Sequence, residues 1–175
     1  LEVFDVVQIP THGGSLRVMA QRAGSGKQPV TAAVAKLSAQ EDGFGMSRLE
    51  TYLTFDEKAR AVKRDLLEFL IKSKREGKTI AGYGAPAKGN TLLNYCGIRQ
   101  DFIDYTVDRN TEKQGRFLPG THIPVHAPEM LRQTRPDYVL ILPWNIKDEV
   151  MAQTSYIREW GGRFVVPIPS LQVIA

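Results

Sequence analysis

The sequence predicts an α/β protein: a Rossmann-like, mostly parallel sheet with flanking helices, preceded by a β-hairpin and a long connecting helix. Three observations support this prediction. Strand-like and helix-like segments alternate from Lys78 to the end of the chain, as they do in parallel sheets with helical crossovers. Two β-like runs flank a Pro/Gly turn within residues 1–23. Apolar residues recur at helical spacing over Met46–Glu76.

Residues 1–23 are predicted to form a β-hairpin, with strands Val3–Ile9 and Ser15–Gln21 joined by the turn Pro10–Gly14. A lone hairpin is marginally stable in water, so this one should join another sheet. The helical segments that follow offer no third strand. Because the chain also begins with Leu1 rather than methionine, we expect it to be part of a longer protein.

Residues 24–77 are predicted to be a helical connector. The apolar residues of Met46–Glu76 lie three or four positions apart, with one break at Asp56, so one face of a long helix is expected to be buried. Gly77 is suited to end this helix. The helix either connects two domains, which its short and irregular apolar stripe favours, or forms the seam of a dimer.

Residues 78–175 are predicted to be a Rossmann-like domain that binds a sugar nucleotide. Its predicted strands are Thr79–Tyr83, Ile103–Val107, His122–His126, Tyr138–Leu142 and Arg163–Val166, and its predicted helices are Pro86–Tyr95, Pro128–Gln133 and Lys147–Glu159. We expect right-handed crossovers between the parallel strands of this sheet.

Composition and charge exclude several classes of protein. The chain has 175 residues, with 23 Lys and Arg against 19 Asp and Glu, and its charged runs mix signs, whereas nucleic-acid binding needs clustered positive charge. The apolar stretch 138–143 is far shorter than the ~20 residues of a membrane span. A single cysteine, Cys96, suits a cytoplasmic setting. His122 and His126 flank Pro124 and are not expected to bind a metal.

The main chemical signal is the segment 82–91, Gly-Tyr-Gly-Ala-Pro-Ala-Lys-Gly-Asn-Thr, which leaves one predicted strand and opens the next helix. Gly82 and Gly84 would permit a tight turn, and Ala87 is small enough for close packing of the helix against the strand. The N–H groups at the helix start favour a phosphate, and Lys88 adds a positive charge. The segment therefore predicts an anion or nucleotide site.

Asp108 ends the second predicted strand of this domain, ~20 residues beyond the glycine turn, where dinucleotide-binding folds carry a ribose-binding acid. The pattern therefore also fits an NAD(P)-binding oxidoreductase domain. Against that alternative, the chain has no evident hydride-transfer constellation. A Walker phosphate loop is excluded because Asn90 stands where that motif requires lysine.

Several further segments form a pattern with the glycine turn. They are His12–Arg17, Asn94–Ile98, Asp108 with Lys113–Arg116, Leu118–Val125, Leu142–Asn145 and Trp160–Arg163. Together these segments resemble the C-terminal domain of S-adenosylmethionine-dependent nucleotide-sugar C-methyltransferases, enzymes of deoxysugar pathways. The resemblance covers essentially the whole chain.

The resemblance implies that the hairpin of residues 1–23 completes the sheet of an upstream methyltransferase domain in the same polypeptide. It implies a nucleotide-linked keto-deoxysugar as substrate and S-adenosylmethionine as the cofactor of the full-length enzyme, with the methyl-donor loop and catalytic base upstream of Leu1. We therefore expect this segment to bind no S-adenosylmethionine, to lack turnover by itself, and to hold the nucleotide diphosphate end of the substrate.

The predicted substrate-binding residues come from the glycine turn, the loop after Asp108 and the Trp-Asn pair. They are Gly82, Tyr83, Gly84, Ala85, Ala87, Lys88, Asn90, Thr91, Asp108, Lys113, Arg116, Trp144 and Asn145. No catalytic residue is assigned within the chain. His12, on its glycine-flanked turn, is a candidate residue of the active cleft.

Overall fold

A computed structural model describes residues 1–175 except for the side chain of His12. The chain divides into two compact units, Leu1–Lys58 and Ala59–Ala175. The candidate cleft residue His12 therefore lies outside the described side chains, and its role stays a prediction.

The first unit contains the predicted hairpin. Strands β1 (Glu2–Ile9) and β2 (Ser15–Gln21) pair antiparallel and are joined by a short 3₁₀ turn, Thr11–Gly13. Helix α1 (Ala32–Phe44) follows, and Thr31 before it donates its hydroxyl to a carboxylate oxygen of Asp5 at 2.6 Å. The strand bounds confirm the predicted hairpin almost to the residue.

The predicted single helix over Met46–Glu76 is wrong at its start. The structure has a short helix α2 (Leu49–Leu53), then Thr54, then the long helix α3 (Phe55–Arg75). The Thr54 hydroxyl donates to the carbonyl of Glu50 at 3.0 Å, and such a side-chain bond competes with regular helical pairing. The helix is therefore interrupted at Thr54, two residues before the irregularity in the apolar spacing at Asp56.

The second unit is built on a six-stranded sheet of order β5-β4-β3-β6-β7-β8. The strands are β3 (Ile80–Tyr83), β4 (Tyr105–Val107), β5 (Val125–His126), β6 (Tyr138–Ile141), β7 (Arg163–Val166) and β8 (Gln172–Ile174). All adjacent pairs are parallel except β7 with β8. The structure confirms the predicted mostly parallel α/β sheet and adds β8, whose residues are too exposed to give a buried run.

Helices cover both faces of this sheet. On one face, Ile80 and Leu140 pack with Leu66 of α3 and Leu93 of α4 (Ala87–Cys96). On the other face, alternate residues such as Val139 pack with the elements that carry Leu131, Val150 and Ile157: α5 (Met130–Thr134), α6 (Lys147–Gln153) and a 3₁₀ segment, Ser155–Trp160. Alternation of side chains along each strand divides the core into these two layers.

Two predicted elements are shorter than expected. The strand predicted over His122–His126 is reduced to β5, since Pro124 makes only an isolated bridge with Phe117. The helix predicted over Lys147–Glu159 ends at Gln153, where the next residue, Thr154, donates its hydroxyl back to the carbonyl of Val150 at 2.6 Å.

Among the described residues, no helix combines the length and apolar character that crossing a membrane requires.

Candidate functional site

The candidate site lies where the order of strands reverses. From β3 the chain moves to β4 and β5 on one side, while β6 and β7 lie on the other. The backbone N–H of Leu142 donates to the carbonyl of Tyr83 at 3.0 Å, which holds the carboxyl ends of β3 and β6 together. Doubly wound sheets bind their ligands in the crevice at such a reversal point.

Gly84 makes the tight turn after β3. Its φ of +86° suits glycine, and a Cβ there would lie 2.7 Å from the Cδ of Pro143. Its N–H donates to the carbonyl of Val107 at 2.6 Å, and its carbonyl accepts the Thr106 hydroxyl at 2.8 Å. The turn is therefore fixed against β4, and only glycine fits it.

Helix α4 opens directly after this turn, with Pro86 in the cap position. The predicted packing role of Ala87 is wrong, because Ala87 is exposed. Gly89 makes the close approach instead, since a Cβ at that position would lie 2.7 Å from Leu142 Cβ. Gly82 was predicted to lie in the turn, but it lies inside β3. Its lack of a side chain leaves room there for Thr106 of β4.

Lys88, in the first turn of α4, is brought together with both residues of the Trp-Asn pair. Its ammonium donates to the side-chain oxygen of Asn145 and lies 4.9 Å from the centroid of the Trp144 ring. Burial lowers the pKa of Lys88. Within the described part of the chain, none of the contacts of this ammonium is with a carboxylate.

Asp108 binds the glycine turn itself. One carboxylate oxygen accepts the N–H of Ala85 at 2.7 Å and the ammonium of Lys113 at 3.2 Å, and the other accepts the N–H of Asn110 at 2.8 Å. Lys113 also donates to the Ala85 carbonyl at 3.1 Å. The ribose-binding position predicted for Asp108 is therefore taken by protein contacts, in an arrangement that we call the turn clamp (Ala85, Asp108 and Lys113).

Two adjoining pockets lie at this edge of the second unit. The smaller, about 220 Å³, is lined by Gly84, Asp108 and Lys113 among others, and the larger is about 690 Å³. Tyr83, Arg109 and Gln153 line both pockets. Of these, Tyr83 is a predicted site residue, whereas Arg109 and Gln153 were missed.

The position of Arg109 directly after Asp108 at the end of β4 could have indicated it, because that is where parallel sheets place ligand-binding side chains. Gln153 carries no comparable signal. Its carboxamide oxygen accepts from Arg109 at 3.1 Å and from the Tyr83 hydroxyl at 3.4 Å. Burial raises the pKa of Tyr83, so its phenol stays protonated.

The remaining predicted residues lie outside these contacts. Thr91 is exposed and donates its hydroxyl to the Ala87 carbonyl of its own helix at 3.1 Å. Arg116 is exposed and lines neither of the two pockets. Asn90 has a buried side-chain oxygen without a hydrogen-bond partner in the described structure. Among the described residues, no three His, Cys, Asp or Glu side chains are grouped as metal ligands.

Comparison with known proteins identifies the family. A family model for the C-methyltransferase C-terminal domain matches residues 10–169. The chain is 40% identical over 178 residues to C-methyltransferase NovU of Streptomyces niveus, and this alignment covers all of the chain but only 41% of NovU. The crystal structure of UDP-D-quinovosamine 4-dehydrogenase from Vibrio fischeri aligns with 56% of this chain and 93% of its own at 16% identity. Its TM-score of 0.40 is too low to argue from.

The chain thus spans about two fifths of the length of the curated relative that it matches. The family match covers all of the second unit up to Pro169 and most of the first. This chain belongs to the family of C-methyltransferase C-terminal domains.

Proposed function

We propose that this domain holds the nucleotide diphosphate end of a nucleotide-linked keto-deoxysugar, as part of an S-adenosylmethionine-dependent C-methyltransferase. An upstream domain of the same polypeptide supplies the methyl-donor site and the catalytic base. The isolated domain, in this proposal, has no methyltransferase turnover. The observation that carries the proposal is Lys88, a partly buried cation in the first turn of α4 whose described contacts include no carboxylate.

Three properties of this position suit a phosphate group. The first N–H groups of a helix lack intrahelical acceptors and carry partial positive charge. The turn at Gly84, which packs against Pro143 without a Cβ, lets α4 begin directly after the carboxyl end of β3. Burial, which lowers the pKa of Lys88, also leaves its ammonium with less water to replace when an anion binds.

The chemistry of the whole enzyme explains why such a holding site is useful. Methylation at carbon needs a carbanion beside a keto group, because a neutral C–H is not a nucleophile toward a methyl sulfonium. Binding the remote diphosphate lets that binding energy fix the sugar in a geometry suited to deprotonation and attack. In this proposal Lys88 and the α4 N–H groups bind the diphosphate, and Asn145 orients the Lys88 ammonium.

The turn clamp weighs against the alternative NAD(P)-binding function. A bound dinucleotide or S-adenosylmethionine would present ribose hydroxyls to an acid at the end of β4. That acid, Asp108, already accepts hydrogen bonds from Ala85, Asn110 and Lys113. These contacts leave Asp108 fewer acceptor sites for an adenosine ribose, and in this proposal the methyl donor binds outside the crevice.

Calorimetric titration of the chain tests the proposal, with thymidine diphosphate and NAD as ligands. We expect wild type to bind thymidine diphosphate saturably and NAD not at all. The affinity of Lys88→Ala for thymidine diphosphate should be about tenfold lower, because a hydrogen bond to a charged group is lost. Lys147→Ala is the matched control, since the Lys147 ammonium already pairs with the exposed carboxylate of Asp148. Equal affinities of wild type and Lys88→Ala, or saturable NAD binding, would contradict the proposal.

A further inference from the structure

The larger pocket has no role in the function proposed so far. Its volume of about 690 Å³ falls within the range of small-molecule sites. It adjoins the smaller pocket at the glycine turn through three shared residues, Tyr83, Arg109 and Gln153. A ligand that is anchored at the turn could therefore extend into it.

The charge of the larger pocket favours an anionic ligand. Its lining carries two guanidinium groups, Arg109 and Arg132, against one carboxylate, Glu129. Arg132 also pairs with the carboxylate of Glu159 outside this lining, at 3.8 Å, so Arg109 contributes most of the excess positive charge. Arg109 uses one of its five N–H donors on Gln153, at 3.1 Å. Since Arg109 lines both pockets, a ligand that extends from one pocket into the other would contact it.

Arg132 and Tyr156, which both line the pocket, lie in contact with each other. The guanidinium carbon of Arg132 lies 3.7 Å from the centroid of the Tyr156 ring. The Tyr156 hydroxyl donates to the carbonyl of Pro128 at 3.4 Å. A planar guanidinium stacks on aromatic systems, and the side chain of Arg132 is 55% exposed, which leaves it accessible to a nucleobase.

The other walls provide hydrogen-bonding groups of both kinds. Tyr83, Thr111, Gln114 and Gln153 line the pocket, and their hydroxyl and carboxamide groups both donate and accept. A nucleobase and its deoxyribose need such mixed partners at their edges. An apolar ligand would leave these polar groups without partners, at a cost in free energy.

We propose that the larger pocket binds the nucleoside of the sugar nucleotide, with the base stacked on Arg132 and the diphosphate passing Arg109 toward the glycine turn. This inference rests on the proposed function, because it takes the ligand to be the same nucleotide. It assigns base recognition to Arg132 and Tyr156, neither of which belongs to the glycine-turn motif.

The test compares thymidine diphosphate with inorganic pyrophosphate in calorimetric titrations of the chain. We expect wild type to bind thymidine diphosphate at least about tenfold more tightly than pyrophosphate, because stacking of a base on a protein side chain contributes that much affinity. Arg132→Ala should lose most of that advantage and leave pyrophosphate affinity unchanged. Arg132→Lys, which keeps the charge but not the plane, should lose nearly as much.

Arg158→Ala is the matched control, because Arg158 also lies near an aromatic ring, that of Phe164 at 5.0 Å, but lines neither pocket. Equal binding of the two ligands by wild type, or an unchanged advantage in Arg132→Ala, would overturn the nucleoside site and leave the diphosphate site standing. If Arg132→Ala loses the preference for thymidine diphosphate over pyrophosphate while Lys88→Ala leaves the affinity for thymidine diphosphate unchanged, the diphosphate site alone would be overturned. Absence of any binding would overturn both.

Discussion

The carboxylate of Asp108 accepts the backbone N–H of Ala85 at 2.7 Å, across the gap between the end of β4 and the glycine turn after β3. Lys113 closes the arrangement by donating to the Ala85 carbonyl and to Asp108. A residue type and position that usually signal a bound ribose therefore serve here to hold the backbone of the turn. In the function that we propose, the turn clamp keeps the start of α4 in place for the diphosphate.

Removing the clamp should destabilise the domain. In Asp108→Ala the N–H groups of Ala85 and Asn110 lose their acceptor, and we expect the free energy of unfolding to fall by about 2 kcal/mol. Urea denaturation followed by circular dichroism measures it. The control is Asp104→Ala, whose carboxylate is half-exposed and pairs with Lys74, and which should cost under about 1 kcal/mol. Equal losses in the two variants would show that the clamp adds nothing to stability.

Gly84 should tolerate no side chain. Gly84→Ala places a Cβ at a φ of +86° and 2.7 Å from Pro143, and we expect the free energy of unfolding to fall by about 3 kcal/mol or more. Gly97→Ala is the control, because its φ of +74° brings the same strain with no atom within 4 Å. Its cost should be about 1 kcal/mol, and urea denaturation of both variants gives the difference. A Gly84→Ala variant as stable as Gly97→Ala would mean that the turn moves away from Pro143.

Asp137 should make stability depend on pH in the acid range. Burial by itself raises the pKa of Asp137, but hydrogen bonds from Thr79 and Lys78 outweigh it, so the pKa is lowered in the folded protein. The stability that a lowered carboxyl pKa contributes is fully present above the pKa of the unfolded state, which is about 4. It is lost as the pH falls through the pKa of the folded state. Denaturation midpoints measured from pH 7 to about pH 2 should therefore fall less steeply in Asp137→Asn.

The control for this pH series is Asp148→Asn, at a carboxylate that is 81% exposed. Its midpoints should follow those of wild type throughout. An Asp137→Asn series parallel to wild type would remove Asp137 as a source of the acid sensitivity.

Ligand binding should weaken at alkaline pH when Lys88 loses its proton. Burial lowers the pKa of Lys88 from 10.5, so the positive charge is lost at a lower pH than for an exposed lysine. The affinity for thymidine diphosphate, measured from pH 8 upward, should fall earlier in wild type than in Lys88→Arg, because a guanidinium stays charged. Identical profiles would show that the charge of residue 88 does not contribute to binding.

The fold was predictable because its signals are local. Buried runs such as Tyr138–Ile141 and the glycine turn mark the strands and the first crossover directly. The helix ends were less predictable, since the Thr54 and Thr154 hydroxyls bond back to the helix in ways that apolar spacing does not show. Strand β8 is too exposed to be recognised.

The site was predictable only in part. Lys88, Trp144 and Asn145 were expected together and are in contact. The bond from Ala85 to Asp108 could not be foreseen, because a carboxylate at the end of β4 can face a ligand or the turn equally well, and only the packing of the loop decides. The pairing of Arg132 with Tyr156 joins two elements whose approach no local pattern indicates.

A crystal structure of this domain with thymidine diphosphate bound would test the proposed diphosphate site most directly. We expect phosphate oxygens within hydrogen-bond distance of the Lys88 ammonium and of the first N–H groups of α4, with the Asp108 carboxylate still accepting the N–H of Ala85. Phosphates bound away from the glycine turn, or a ribose on Asp108 in place of Ala85, would contradict it.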